Sequence, residues 1–111
     1  MKFFLYALAG IVEAIKTERN VKIHLLVTGI VIILGLYYKV SLVEWSVLLL
    51  CIGSVISLEM LNTAIEKLCD MVMPEYNEVI KKVKDIAAGA VLFFSIISFI
   101  IGCFIFIPKI M

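Results

Sequence analysis

Residues 57–70 read Ser-Leu-Glu-Met-Leu-Asn-Thr-Ala-Ile-Glu-Lys-Leu-Cys-Asp and close a long apolar run in the middle of the chain. Glu59, Asn62, Glu66 and Asp70 fall within roughly an 80° arc of a helix, because each residue turns the helix by about 100°. Carboxylates at membrane depth are costly and persist mainly where they bind an ion, move a proton or pair with a partner. Three carboxyls and an amide on a face with no matching cations therefore suggest a metal-binding or phosphate-transfer site.

Composition places the chain in a membrane. It has 111 residues, of which 64% are hydrophobic, and a mean hydropathy of +1.17. These values exceed those of soluble domains, and the length allows one domain over residues 1–111. The net charge of +1 favours neither nucleic acid nor a strongly anionic partner. Three widely spaced cysteines in apolar sequence form no disulfide or zinc pattern and are interpreted as packing residues: Cys51, Cys69 and Cys103.

Three segments are long enough to cross roughly 30 Å of hydrocarbon as helices. They cover about residues 21–38, 43–64 and 86–107, and Pro108 is expected to end the last one. The sequence thus predicts an all-α integral membrane protein.

Residues 2–20 form a weaker helical pattern with one apolar stripe, typical of an amphipathic helix at the membrane surface. The start of this segment resembles a signal peptide, but its apolar part is too short, so we expect it to be retained. Glu18 lies on the apolar stripe and should face protein or a bound cation. Alternatively, Glu18 and Lys22 form an ordinary i,i+4 pair.

Charges are concentrated at one predicted membrane face. Of 19 charged side chains (10 basic and 9 acidic), 16 lie in residues 2–22 and 59–85. Counting basic residues gives eight on this side against Lys39 and Lys109 on the other. The positive-inside rule therefore predicts that the N-terminus and the 67–85 connection face the cytoplasm. The protein is accordingly expected in the cell (inner) membrane.

Each candidate residue also has a simpler interpretation. Glu59 could extend its carboxylate toward the headgroups near a helix end, and Glu66 and Asp70 could mark a solvated helix end. Lys84 could belong to a basic membrane anchor, with Asp85 as the N-cap of the third span. His24, the single histidine, is interpreted as an interfacial residue.

The familiar nucleotide-binding motifs are absent. There is no G-x-x-x-x-G-K-[ST] loop and no G-x-G-x-x-G, and no Ser/His/Asp or Cys/His arrangement can be built. A nucleotide-dependent activity would have to use carboxylate-held Mg²⁺ and lysine.

These residues resemble the prokaryotic diacylglycerol kinase family, over essentially the whole chain. The resemblance rests on the block Glu59-Met-Leu-Asn-Thr-Ala-Ile-Glu66, which is highly specific, together with Asp70, Glu75-Tyr76, Lys84-Asp85 and Ala90-Val91-Leu92. The stretch Thr17-Glu18-Arg19-Asn20, with His24, is most similar to the undecaprenol kinase branch of that family.

The resemblance implies a membrane lipid kinase that works as a homotrimer with sites shared between subunits, with ATP and Mg²⁺. Undecaprenol is the implied acceptor, and diacylglycerol is the alternative. By the resemblance, Glu59 is the general base, and Glu18 and Glu66 bind magnesium. The positions that would contact ATP are Tyr6, Glu18, Glu66, Glu75, Tyr76, Asn77, Lys84 and Asp85, and Asn62 and Asp70 are supporting polar residues. The chain begins almost at the surface helix, so a basic ATP-contacting residue that some members carry further upstream has no match here.

Two other classes of function compete with a kinase. A small proton-coupled transporter could use Glu59 as a relay, although such proteins place a lone glutamate in mid-membrane and lack a charged cytoplasmic loop. A non-catalytic membrane subunit would need no aligned stripe of Glu59, Asn62 and Glu66. No nucleic-acid partner is expected.

Overall fold

The chain forms four helices joined by short connections. The computed structural model describes residues 1–111. Helix α1 runs over Lys2–Thr17, α2 over Arg19–Tyr37, α3 over Leu42–Val72 and α4 over Glu78–Ile110. The last three are long and apolar enough to cross a membrane, so the predicted all-α fold of one surface helix and three spans is confirmed.

Glu18 separates the first two helices. Its backbone is extended (φ −101°, ψ 117°), so it ends α1 and caps α2 at once. The amphipathic helix is therefore shorter than the predicted 2–20. Glu18 also does not pair with Lys22, because its Oε1 lies 3.7 Å from the Lys67 Nζ on α3.

Helices α3 and α4 extend well beyond the apolar spans predicted from the sequence. At 1.5 Å per residue, a helix of 31 residues (α3) measures about 46 Å, longer than the roughly 30 Å hydrocarbon layer. The cap of α4 is Asn77, whose Oδ1 accepts hydrogen bonds from the amides of Val79 and Ile80 at 2.9 and 3.1 Å. Asp85 lies two turns inside α4, so the interpretation of Asp85 as the N-cap was wrong.

Pro108 does not end the last helix. Helix α4 continues to Ile110, and the Met111 amide still donates to the Ile107 carbonyl at 3.1 Å. Proline removes only its own N–H from the hydrogen-bond ladder, and the last turn tolerates that loss.

The end of the molecule away from the charged connection is held by packing and one ion pair. Val40, Leu48, Ile105 and Phe106 form a buried cluster there. The Lys109 Nζ donates to the Glu44 Oε2 at 2.7 Å and so ties the end of α4 to the start of α3.

Gly35 allows a close approach between α2 and α3 at this same end. A Cβ on Gly35 would come within 2.5 Å of the Trp45 ring. The Trp45 ring therefore packs inward, against α2.

The helices pack in chain order. Helix α3 packs against both α2 and α4, and α1 packs against α2. Because α3 and α4 are antiparallel, the end of α3 and the start of α4 meet beside Glu18, at the charged end of the molecule. The other faces expose most of the large apolar side chains, as expected where lipid is the solvent.

Candidate active site

A polar pocket of about 350 Å³ opens between α2, α3 and α4 near the charged end. Glu59, Asn62 and Glu66 line its α3 wall, so three members of the predicted stripe share one pocket. Asn20 and His24 line the α2 wall. The α4 wall carries small and apolar side chains with one hydroxyl: Ala88, Val91, Leu92 and Ser95.

Glu59 is the most buried carboxylate of the chain. Only 4% of the residue is exposed, and its Oε2 lies 3.9 Å from the His24 Nε2. This distance is too long for a direct hydrogen bond. The Glu59 carboxylate therefore keeps its lone pairs available toward the pocket.

Asn62 has one amide atom bound and one without a partner. Its Nδ2 donates to the Glu66 Oε1 at 2.9 Å. Its Oδ1 is buried and accepts no hydrogen bond in the structure. A buried acceptor without a partner is costly, so the pocket is completed by something that donates to Asn62 or binds its oxygen.

The oxygen atoms of this pocket suit a hard cation. Mg²⁺ prefers oxygen ligands and is usually held by one or two carboxylates plus substrate phosphates. The Glu66 carboxylate and the Asn62 Oδ1 supply such oxygens. Glu18 does not line this pocket, and its carboxylate faces the Lys67 ammonium at 3.7 Å. No three His, Cys, Asp or Glu side chains are gathered closely enough to hold a metal alone, so an ion here would need phosphate oxygens as well.

A second, apolar cavity of about 510 Å³ lies between the same three helices, farther from the charged end. Its walls include Val27 of α2, Val55 of α3 and Phe99 of α4. His24 and Ser95 line both this cavity and the polar pocket. The apolar cavity therefore runs up to the site that contains Glu59.

Residues 5–106 match the family model described as prokaryotic diacylglycerol kinase. The chain belongs to the prokaryotic diacylglycerol kinase family. An undecaprenol kinase of Bacillus subtilis (strain 168) is 44% identical over 97% of this chain and 88% of its own length. A diacylglycerol kinase of Synechocystis sp. (strain ATCC 27184 / PCC 6803 / Kazusa) is 37% identical over 97% of this chain and 62% of its own length.

Membership of this family makes the chain a multi-pass membrane lipid kinase, an enzyme that transfers a phosphoryl group to an alcohol. The family resemblance carried by the E-x-x-N-T-A-I-E block is confirmed. Such an enzyme needs a nucleotide donor and a lipid acceptor to meet at one place. The polar pocket and the apolar cavity share His24 and Ser95, so the two spaces adjoin.

Two predicted site residues of this lipid kinase form an ion pair beside the pocket. The Lys84 Nζ donates to the Asp70 Oδ1 at 2.5 Å and joins the end of α3 to the start of α4. This hydrogen bond raises the pKa of Lys84, which lies before the apolar part of α4, above its ordinary value. Asp70 does not line the pocket, and its cationic partner comes from α4 rather than from the α3 stripe itself.

The other residues expected to contact ATP lie outside the pocket. Tyr6 is exposed on α1, and Glu75 and Tyr76 are exposed in the turn between α3 and α4. Asn77 caps α4. Asp85 accepts from the Lys81 Nζ at 2.6 Å on the exposed side of α4.

Sequence reasoning missed the α2 wall. The sequence predicts His24 as an interfacial residue, but in the structure its Nε2 is the basic atom nearest to the Glu59 carboxylate. The available signal was the spacing of Asn20, His24 and Thr28, which puts three polar side chains on one face of an apolar helix at i, i+4 and i+8.

Proposed function

We propose that this protein phosphorylates undecaprenol to undecaprenyl phosphate, with ATP as donor and Mg²⁺ as cofactor, within a single kinase domain over residues 1–111. The observation that carries the proposal is the burial of Glu59 in one pocket with Asn62 and Glu66. The choice of undecaprenol as acceptor rests on the Bacillus subtilis relative. Its identity to this chain is higher than that of the Synechocystis diacylglycerol kinase, and the match covers a larger share of its length. Diacylglycerol, with phosphatidic acid as product, is the second candidate acceptor because of that other relative.

Glu59 acts as the general base in this proposal. Its carboxylate takes the proton of the lipid hydroxyl as the hydroxyl oxygen bonds to the γ-phosphorus and the bond from that phosphorus to the β–γ bridging oxygen breaks. ADP leaves and the phosphorylated lipid remains. The burial of Glu59 in the pocket, away from bulk water, suits a base.

Glu18 and Glu66 would hold Mg²⁺, with Asn62 supporting Glu66 through its amide. When bound, the ion neutralises charge that spreads over the transferring phosphoryl group. Lys84 adds a positive charge near the end of α3. The hydrogen bond from Lys84 to Asp70 fixes the position of that charge. The outer parts of ATP would contact Asp85, Tyr6 and the residues of the 75–77 turn.

We also propose that the working enzyme is a homotrimer in the inner membrane, with its N-terminus and site facing the cytoplasm. Three spans cannot easily enclose a polar site, since each helix in a three-helix layer turns one face to lipid. A neighbouring subunit would close the exposed side of the pocket, as is common in symmetric oligomers. The excess of basic residues at the charged end supports the orientation.

Competition between two acceptors tests the proposed reaction. Purified protein in detergent micelles receives Mg²⁺, γ-labelled ATP and equal amounts of undecaprenol and diacylglycerol. We expect label mainly in undecaprenyl phosphate. Label mainly in phosphatidic acid would make diacylglycerol the acceptor. No labelled lipid here, together with proton-coupled solute uptake by the same protein in sealed lipid vesicles, would support the transporter instead.

A further inference from the structure

His24 and Ser95 stand where the polar pocket meets the apolar cavity. They come from different helices, α2 and α4, and each lines both spaces. On one side of this pair lies Glu59, and on the other the walls are mainly apolar. A molecule that extends from the apolar cavity toward Glu59 therefore passes close to His24 and Ser95.

The distance between His24 and Glu59 fits one oxygen atom between them. The His24 Nε2 and the Glu59 Oε2 are 3.9 Å apart, and two hydrogen bonds of about 2.8 Å each can meet at an oxygen placed beside both. A hydroxyl suits this place, because its O–H can donate to the carboxylate while its lone pair accepts from an Nε2–H. An ether or ester oxygen can only accept, and cannot donate to Glu59.

The apolar cavity suits the chain attached to that hydroxyl. Its volume of about 510 Å³ falls within the roughly 300–1,000 Å³ of small-molecule sites. Its wall is mainly apolar: the Thr28 hydroxyl donates to its own helix at the His24 carbonyl, 2.7 Å away, and beyond His24 and Ser95 the one buried hydroxyl without a partner is that of Ser98. The two ester groups of diacylglycerol would lose hydrogen bonds to water there, and the Ser98 hydroxyl could replace only one of them, whereas a hydrocarbon chain has none to lose.

We propose that His24 and Ser95 position the hydroxyl of the acceptor against Glu59, and that the apolar cavity of the same subunit holds the adjoining part of a prenol chain. This inference rests on the proposed function and adds to it a binding site for the acceptor. It also gives a physical reason for preferring a prenol to diacylglycerol.

Gly102 allows the cavity to be filled without disturbing the pocket. It lines the cavity, and an added Cβ meets no heavy atom within 4 Å. It lies about 10 Å along α4 from Ser95, at 1.5 Å per residue. A larger side chain at Gly102 should therefore obstruct a long prenol but leave room for a short one.

The first experiment compares Gly102→Phe with Ile100→Phe, which adds bulk on an exposed face of the same helix. We expect Gly102→Phe to raise KM for undecaprenol by about tenfold or more and KM for geraniol by less than about twofold. KM for ATP should not change, and Ile100→Phe should match the wild type. Equal effects on both alcohols, or none, would overturn the inference. If Gly102→Phe does not fold, Gly102→Leu serves the same comparison.

The second experiment compares His24→Ala with His24→Gln, because the glutamine amide can place an N–H near the position of the Nε2. We expect His24→Ala to lower kcat/KM for both alcohols by about tenfold, with KM for ATP unchanged, and His24→Gln to recover most of that loss. Equal loss in the two variants, or no loss, would contradict the role of His24. Wild-type protein that labels no prenol at all would instead overturn the proposed function.

Discussion

Glu59→Gln lowers kcat for lipid phosphorylation by about 10²–10⁴-fold, the range that a general base contributes. The amide has nearly the shape of the carboxylate but cannot accept the hydroxyl proton. Because Glu59 forms no direct hydrogen bond in the structure, the substitution breaks none, and glutamine can keep the 3.9 Å approach to the His24 Nε2. The measurement is turnover of undecaprenol in detergent under saturating Mg·ATP.

Glu13→Gln is the matched control for this result, because Glu13 is an exposed carboxylate on α1 outside the pocket. It should keep wild-type turnover. Near-normal turnover by Glu59→Gln would remove Glu59 from the role of base. It would then point to another group of the pocket, or to the phosphate itself, as the proton acceptor.

Glu66→Gln raises the Mg²⁺ concentration needed for half-maximal activity by about tenfold or more. Removing a charged oxygen ligand weakens binding of a hard cation, and loss of even an outer-shell partner typically costs 10–100-fold in metal affinity or activity. The glutamine oxygen can still accept from the Asn62 Nδ2, so the 2.9 Å contact can be kept. The measurement is a Mg²⁺ titration of lipid phosphorylation at fixed ATP.

An unchanged Mg²⁺ requirement in Glu66→Gln would contradict a ligand role for Glu66. Loss of activity that added Mg²⁺ cannot restore would indicate that the negative charge is needed for another purpose. Glu13→Gln again provides the comparison, since it removes one carboxylate without touching the pocket.

The helices of this protein were largely predictable because hydropathy and helical period are local properties. Hydropathy locates the spans. The common face of Glu59, Asn62 and Glu66 depends on residues no more than two turns apart. The ends of the helices were less predictable, because hydropathy identifies only the apolar segment of a helix. The caps at Asn77 and at Ser41, whose hydroxyl accepts from the Glu44 amide, determine where the helices begin.

The partners of the acidic stripe could not be predicted because they come from elsewhere in the chain. Lys84 reaches Asp70 across a turn, and Lys67 reaches Glu18 from a different helix. His24 reaches Glu59 only because α2 packs against α3. These pairs depend on how helices pack, and a stripe on one helix carries no information about the side chains that will face it.

The most direct test of the account is metal binding by the two proposed magnesium carboxylates. Mn²⁺ accepts the same oxygen ligands as Mg²⁺, and its binding can be followed by electron paramagnetic resonance with a non-hydrolysable ATP analogue. We expect Glu18→Gln and Glu66→Gln each to weaken Mn²⁺ binding by about tenfold or more, as loss of a carboxylate ligand should, with Glu13→Gln unchanged. Wild-type Mn²⁺ affinity in both site variants would contradict the proposal that these carboxylates converge on one ion.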